Sequence, residues 1–220
     1  MIHLPQLKNL LKDRETAEIN TFVDQHPLVL SETDAAGVSG LMYIAYHQLP
    51  DALANAIIRK KDFTLPEAAA MGLLHRVITE VHAQPNAVNQ AAKDGFYPLT
   101  LACFFGHFSV AAYLIKKGAM VNLPAANPTH VTPLHSAVAR NDFDLCNLLI
   151  KNGADVNAQQ TAGVTALHSA AHRGNLKLVK LLIENGALIN NPTEDGKTAL
   201  DFAQQDGQRE VAAFLSSQAN

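Results

Sequence analysis

Tyr97-Pro98-Leu99-Thr100, Thr132-Pro133-Leu134-His135, Thr165-Ala166-Leu167-His168 and Thr198-Ala199-Leu200-Asp201 are four versions of one short opening, and they decide how the whole chain is read. Their leucines stand 35, 33 and 33 residues apart. Self-similarity at a fixed period of this length means a stack of like units, each burying its apolar face against its neighbours. The 220 residues therefore form one elongated domain.

Local chemistry explains how each unit builds itself. In the second clear unit Thr132 can accept a hydrogen bond from a first-turn amide, and Pro133 sits where its missing N–H costs nothing. A first helix runs from Leu134 to Arg140 and stops at Asn141, whose counterparts are Gly106, Gly174 and Gly207. Those residue types suit a left-handed link between helices. Leu145, Leu148, Leu149 and Ile150 then supply the apolar stripe of a second helix, which ends at Gly153, as its counterparts end at Gly118 and Gly186. Asp155-Val156-Asn157 leads into the next turn. Ala102, Ala137, Ala170 and Ala203 recur at one place on the first helices, where neighbouring units must approach closely.

A period near 33 with a Thr-Pro-Leu-His opening resembles the ankyrin repeat family, and most closely its bacterial single-domain members. The resemblance implies an all-α repeat solenoid, with β-turn or hairpin fingers and antiparallel helix pairs, in about seven units including caps. Residues 1–33 are expected as an N-terminal cap, 34–62 and 63–92 as degenerate repeats, 93–127, 128–160 and 161–193 as clear repeats, and 194–220 as a C-terminal cap. In the first degenerate unit Gln48 stands where the inter-helix glycine belongs, with Pro50 close behind, which leaves that turn open to question. The next begins Thr64-Leu65-Pro66-Glu67, with the spacing of a capping box. Leu123 to His130 holds the two extra residues of the 35-residue interval and should lengthen one fingertip.

Composition narrows the function classes. Seventeen basic against twenty acidic side chains give a formal charge of −3 with no basic stripe, so neither nucleic acid nor a membrane surface is expected as a partner. No apolar run reaches the ~18 residues of a membrane span. Two cysteines, Cys103 and Cys146, are too few for a disulfide framework and read as small buried hydrophobes in a reduced, cytoplasmic protein. His168 and His172 are four apart on one helix, but Ser169 stands where a zinc-protease motif needs Glu. The resemblance gives His135 and His168 a structural role between turn and helix. Ser136 and Ser169 have no aligned base, and the glycines are repeat punctuation, not a phosphate loop. No enzyme, metal or cofactor is expected.

By family resemblance, a partner would sit on the concave face formed by the fingertips and the exposed side of the first helices. Carried onto this chain, that face comprises Tyr43, Tyr46, His47, Met71, Phe96, Leu101, Phe104, Phe105, Val131, Arg140, Val164, His172 and Arg173. Its first half is aromatic and apolar, and its middle is basic. Exposed, such aromatics would anchor a partner; buried, they would be core of the degenerate repeats. The expected function is non-catalytic binding of a protein partner by a monomer, as inhibitor, immunity protein or adaptor. A host-directed effector using the same surface is the alternative, with metal-dependent or enzymatic activity a remote third.

Overall fold

The computed structural model describes residues 2–218. Fourteen α-helices pair off along them: α1 (Leu4–Asp13) with α2 (Thr16–Gln25), α3 (Gly40–Tyr46) with α4 (Pro50–Arg59), α5 (Leu65–Ala70) with α6 (Leu74–Ala83), α7 (Pro98–Phe105) with α8 (Phe108–Lys116), α9 (Pro133–Ala139) with α10 (Phe143–Lys151), α11 (Ala166–His172) with α12 (Leu176–Glu184), and α13 (Ala199–Gln205) with α14 (Arg209–Gln218). The odd-numbered helices form an inner row, each against the next. The even-numbered helices form an outer row that thins between α4 and α6. One apolar core runs unbroken from Leu4 to Leu215.

The openings behave as their chemistry dictates. Thr132 and His135 form a reciprocal cap: the His135 ring Nδ1 accepts from the Thr132 N–H at 3.3 Å, while its Nε2 reaches the Val164 carbonyl at 3.2 Å in the next finger. The accepting Nδ1 fixes the neutral tautomer with the proton on Nε2. Thr165 and His168 repeat the cap alone, with Nδ1 3.1 Å from the Thr165 amide. Thr64 and Glu67 form the capping box that their spacing predicts. Ala102, Ala137, Ala170 and Ala203 are all fully buried where the inner helices meet. Among the described residues there is no strand; isolated bridges Thr33–Ser39 and Gln159–Thr165 pinch two fingers at their base.

The inter-helix links need a left-handed residue, and three non-glycines supply it, the first being Arg14 between α1 and α2 at φ 58°. Asn141 has φ 66° and Gln48 φ 54°. The turn that the sequence left open at Gln48 therefore closes like the others, with Pro50 starting α4, where proline is tolerated.

Side chains outside the opening motif stitch successive units. Asn122 donates from Nδ2 to the Gly153 carbonyl (2.8 Å), and its Oδ1 accepts from the Asp155 amide (2.7 Å). Asn157 does the same one unit on, with Gly186 O at 2.9 Å and Leu188 N at 2.8 Å. Asn89 does so one unit earlier. Backbone bonds link the fingers as well: Ala126 N to Gly95 O (2.8 Å), Thr161 N to Thr129 O (3.1 Å) and Glu194 N to Ala162 O (3.0 Å).

The third pair breaks the pattern. Residues 60–64 alone join α4 to α5, whereas 84–97, 117–132, 152–165 and 185–198 precede the later inner helices. The third pair therefore has no finger. The fingers on either side close over the gap: Gly37 (φ +79°) lies against the Lys93 side chain, so tightly that a Cβ there would meet Lys93 Cβ at 2.1 Å. Beneath, a buried ion pair fills part of the missing finger's place. Lys60 Nζ lies 3.5 Å from Glu67 Oε1 and donates to Ser31 Oγ at 2.7 Å and to the Leu30 carbonyl at 3.4 Å. Ser39 Oγ donates to the same Glu67 oxygen at 2.6 Å. A cavity of about 540 Å³ remains beside them.

Candidate functional site

A groove of about 1090 Å³ runs along the inner helices' C-terminal ends and the inter-helix turns. Its floor is apolar: Met71, Phe104 and Phe105, with Leu49 and Leu53 of the second pair at one end. Arg140, Asn141, Asp142, Phe143 and Arg173 form the other end. Of the thirteen residues read from the sequence as a binding face, five line this groove: Met71, Phe104, Phe105, Arg140 and Arg173. Sequence reasoning missed the turn residues Gln48, Leu49, His107 and Phe143. Its signal was the end of the first helix, and the residues just beyond that end were available to the same reasoning.

The aromatic cluster has a local cause. Helix α5 ends in the small buried residues Ala68, Ala69 and Ala70, which leave room above them. Rings from α3 and α7 therefore meet across it. Tyr46 stacks on Phe105 with centroids 5.8 Å apart, and Phe104 stands edge-on to both, at 6.2 Å from Tyr46 and 5.0 Å from Phe105. The Tyr46 hydroxyl donates to Asp94 Oδ2 at 3.2 Å, and burial plus that carboxylate push its ionisation far above the usual range. Phe105 is half-buried, while Phe104 remains 41% exposed. The cluster is thus part core and part surface, divided between adjacent residues.

One expectation is corrected. Leu101 is 2% exposed and lines the cavity beside the fingerless pair, not the groove. Met71 lines the groove as expected, though only 7% exposed. Other members of the predicted face are occupied elsewhere. Tyr43 donates its hydroxyl to Asp34, accepts from Lys8 Nζ at 2.8 Å and lies under that ammonium, which ties it to the N-terminal cap. His47 holds the Tyr43 carbonyl through Nδ1 at 2.8 Å. Phe96, Val131 and Val164 are half-buried in the fingers and lie outside the groove.

Charge is unevenly committed along the groove. His172 Nδ1 lies 2.6 Å from Asp206 Oδ2. Asp142 caps α10 by accepting from the Leu145 amide at 3.0 Å. Arg140 lies flat across the turn after α7: a Cβ on Gly106 (φ +83°) would meet Arg140 Nε at 2.1 Å, so only glycine leaves room for it. Its charge joins burial in holding the neighbouring His107 ring below the usual histidine range, burial being the larger cause.

Residues with possible chemistry sit apart. His168 is buried at its cap while His172 points to Asp206, so the two rings of the i,i+4 pair are engaged separately. Among the described residues no group of three His, Cys, Asp or Glu side chains could hold a metal ion, and no helix is long and apolar enough to cross a membrane. Cys103 and Cys146 are buried free thiols, and burial raises both, Cys146 to about 12.

Comparison with known proteins agrees with this architecture. The family profile described as ankyrin repeats (3 copies) matches residues 65–160 and 140–220. The chain is 43% identical over 65 residues to the ankyrin repeat and KH domain-containing protein mask of Drosophila melanogaster, covering 30% of this chain and 2% of that protein. It is 34% identical over 76 residues to the human ankyrin repeat and KH domain-containing protein 1, covering 34% of this chain and 3% of the relative. The mouse ankyrin repeat domain-containing protein 17 matches at 34% over the same length. The chain thus spans only a few per cent of the length of these relatives, which are animal proteins and not the bacterial single-domain members that the sequence suggested.

Proposed function

The chain belongs to the ankyrin repeat family, and from that premise we propose that it binds a protein partner in the groove at the ends of its inner helices. Ankyrin repeats are general protein–protein interaction modules, and the family is generally non-enzymatic. The observation that carries the reading is Phe104: a large aromatic 41% exposed, braced edge-on by two further rings, at the floor of the groove. Rigid aromatics beside arginines are the residue types that dominate binding energy at protein interfaces. Such a module acts by occupancy, as an inhibitor, immunity protein or adaptor, and we place it in the cytoplasm as a monomer.

The test is a paired capture from source-cell lysate with the wild-type chain and Phe104→Ala, after circular dichroism confirms that both are folded. A protein retained by the wild type and lost by the variant supports the groove. Equal retention by both moves the interface to another face.

A further inference from the structure

We infer that the partner's docking segment is acidic: an apolar side chain rests on Phe104, and carboxylates beside it reach Arg140 and Arg173. This rests on the proposal that the groove binds protein, and it adds the chemistry of what is bound. Arg140 and Arg173 follow α9 and α11 in adjoining units, and both line the groove. Among the described residues neither guanidinium has an ion pair or a side-chain hydrogen bond. The nearby carboxylates are already employed, Asp206 by His172 and Asp142 by the α10 cap.

Position at a helix C-terminus accounts for a cation being tolerated at these two places, since the helix dipole favours one there. It supplies no anion. Arg140 is, besides, held in place over Gly106, so little freedom is lost when it is engaged. A planar guanidinium offers a two-pronged donor that matches a carboxylate, and such charge-assisted pairs are about twice as strong as neutral hydrogen bonds. The order along the array is fixed: exposed Phe104 in one unit, Arg140 in the next, Arg173 in the one after. An acidic protein segment fits better than nucleic acid, because two arginines on a chain of net charge −3 make no phosphate-tracking stripe.

The experiment selects a phage-displayed library of random dodecapeptides on the full chain, and separately on Arg140→Glu/Arg173→Glu and on Phe104→Ala. Both arginines are exposed, and unchanged circular dichroism and melting will confirm that the double variant folds. On the wild type, enrichment of Asp and Glu next to an apolar residue is expected. Synthetic peptides from that pool should bind about 10-fold more weakly when their acids become Gln, and more weakly in high salt. On the double variant the bias should reverse toward Lys and Arg. A pool without acidic excess, the same pool on both proteins, no enrichment at all, or tighter binding of a labelled single-stranded oligonucleotide would overturn the inference. A neutral pool that still disappears on Phe104→Ala would sink the acidic partner alone and leave the groove standing. A pool indifferent to every groove variant would remove both.

Discussion

Replacing Lys60 by Met tests whether a buried ion pair stands in for the missing finger. Lys60 and Glu67 side chains are 4% and 8% exposed, and Lys60 supplies the cation to Glu67 Oε1 at 3.5 Å. With Lys60 gone, Glu67 keeps its bonds from Ser39 Oγ and the Thr64 amide, but its charge stays buried with no counter-ion. Removing one partner of such a pair costs about 3–5 kcal/mol. Glu67→Gln should cost a similar amount for the opposite reason, since the ammonium is stranded while Gln preserves the capping box. Against a total stability of about 5–15 kcal/mol, either change is severe. At ~2–4 °C per kcal/mol for a chain of this size, each single variant should melt about 6–20 °C lower. The decisive variant is the double, Lys60→Met/Glu67→Gln. It buries no unpaired charge, so it should be closer to wild type than either single variant. Urea denaturation of all four proteins, compared at constant m, gives the coupling. If each single change costs less than about 1 kcal/mol, or if the double equals the sum of the singles, the pair does not hold the gap and the reasoning fails.

Three further outcomes are expected. Phe105→Ala should destabilise by about 3 kcal/mol and Phe104→Ala by about 1, because the first ring is half-buried under Tyr46 and the second is 41% exposed; equal losses in urea melts would contradict that division. Asn122→Ala removes both of its bonds to the next unit and should cost about 1–3 kcal/mol, with faster amide hydrogen exchange at Asp155 as the local sign, and an unprotected Asp155 amide in the wild type would refute it. Burial holds His107, His135 and His168 below the usual histidine range, so the unfolded chain binds more protons as pH drops through about 6.5. Their contribution is therefore whole above that pH and is lost as pH falls toward the lowered folded values; a melting temperature that rises between pH 7.5 and pH 5 would show the sign to be wrong.

Spacing, caps and turn residues made the later repeats legible without coordinates. Thr132 and His135 cap and bridge as the opening motif requires, and Asn141 adopts the left-handed turn that its glycine counterparts announce. These are short-range consequences: a helix cap involves residues three apart, and a left-handed link is a property of one residue. Thr64 likewise marked a helix start in the second worn unit. The absent finger between Arg59 and Leu65 had a signal that could have been read, since Lys60-Lys61-Asp62-Phe63 has no counterpart of the Gly-Ala-Asp-Val-Asn phrase at 153–157.

Tertiary structure alone decided the rest. That Lys60 finds Glu67, that Leu101 and Met71 are covered, and that Tyr46 meets Phe104 and Phe105 across an intervening unit all depend on how far neighbouring helices approach. Sequence period fixes which residues face the next unit. Only the summed volumes of side chains on three successive helices fix whether a ring at that face ends as core or as surface, and that sum exists only once the units are stacked.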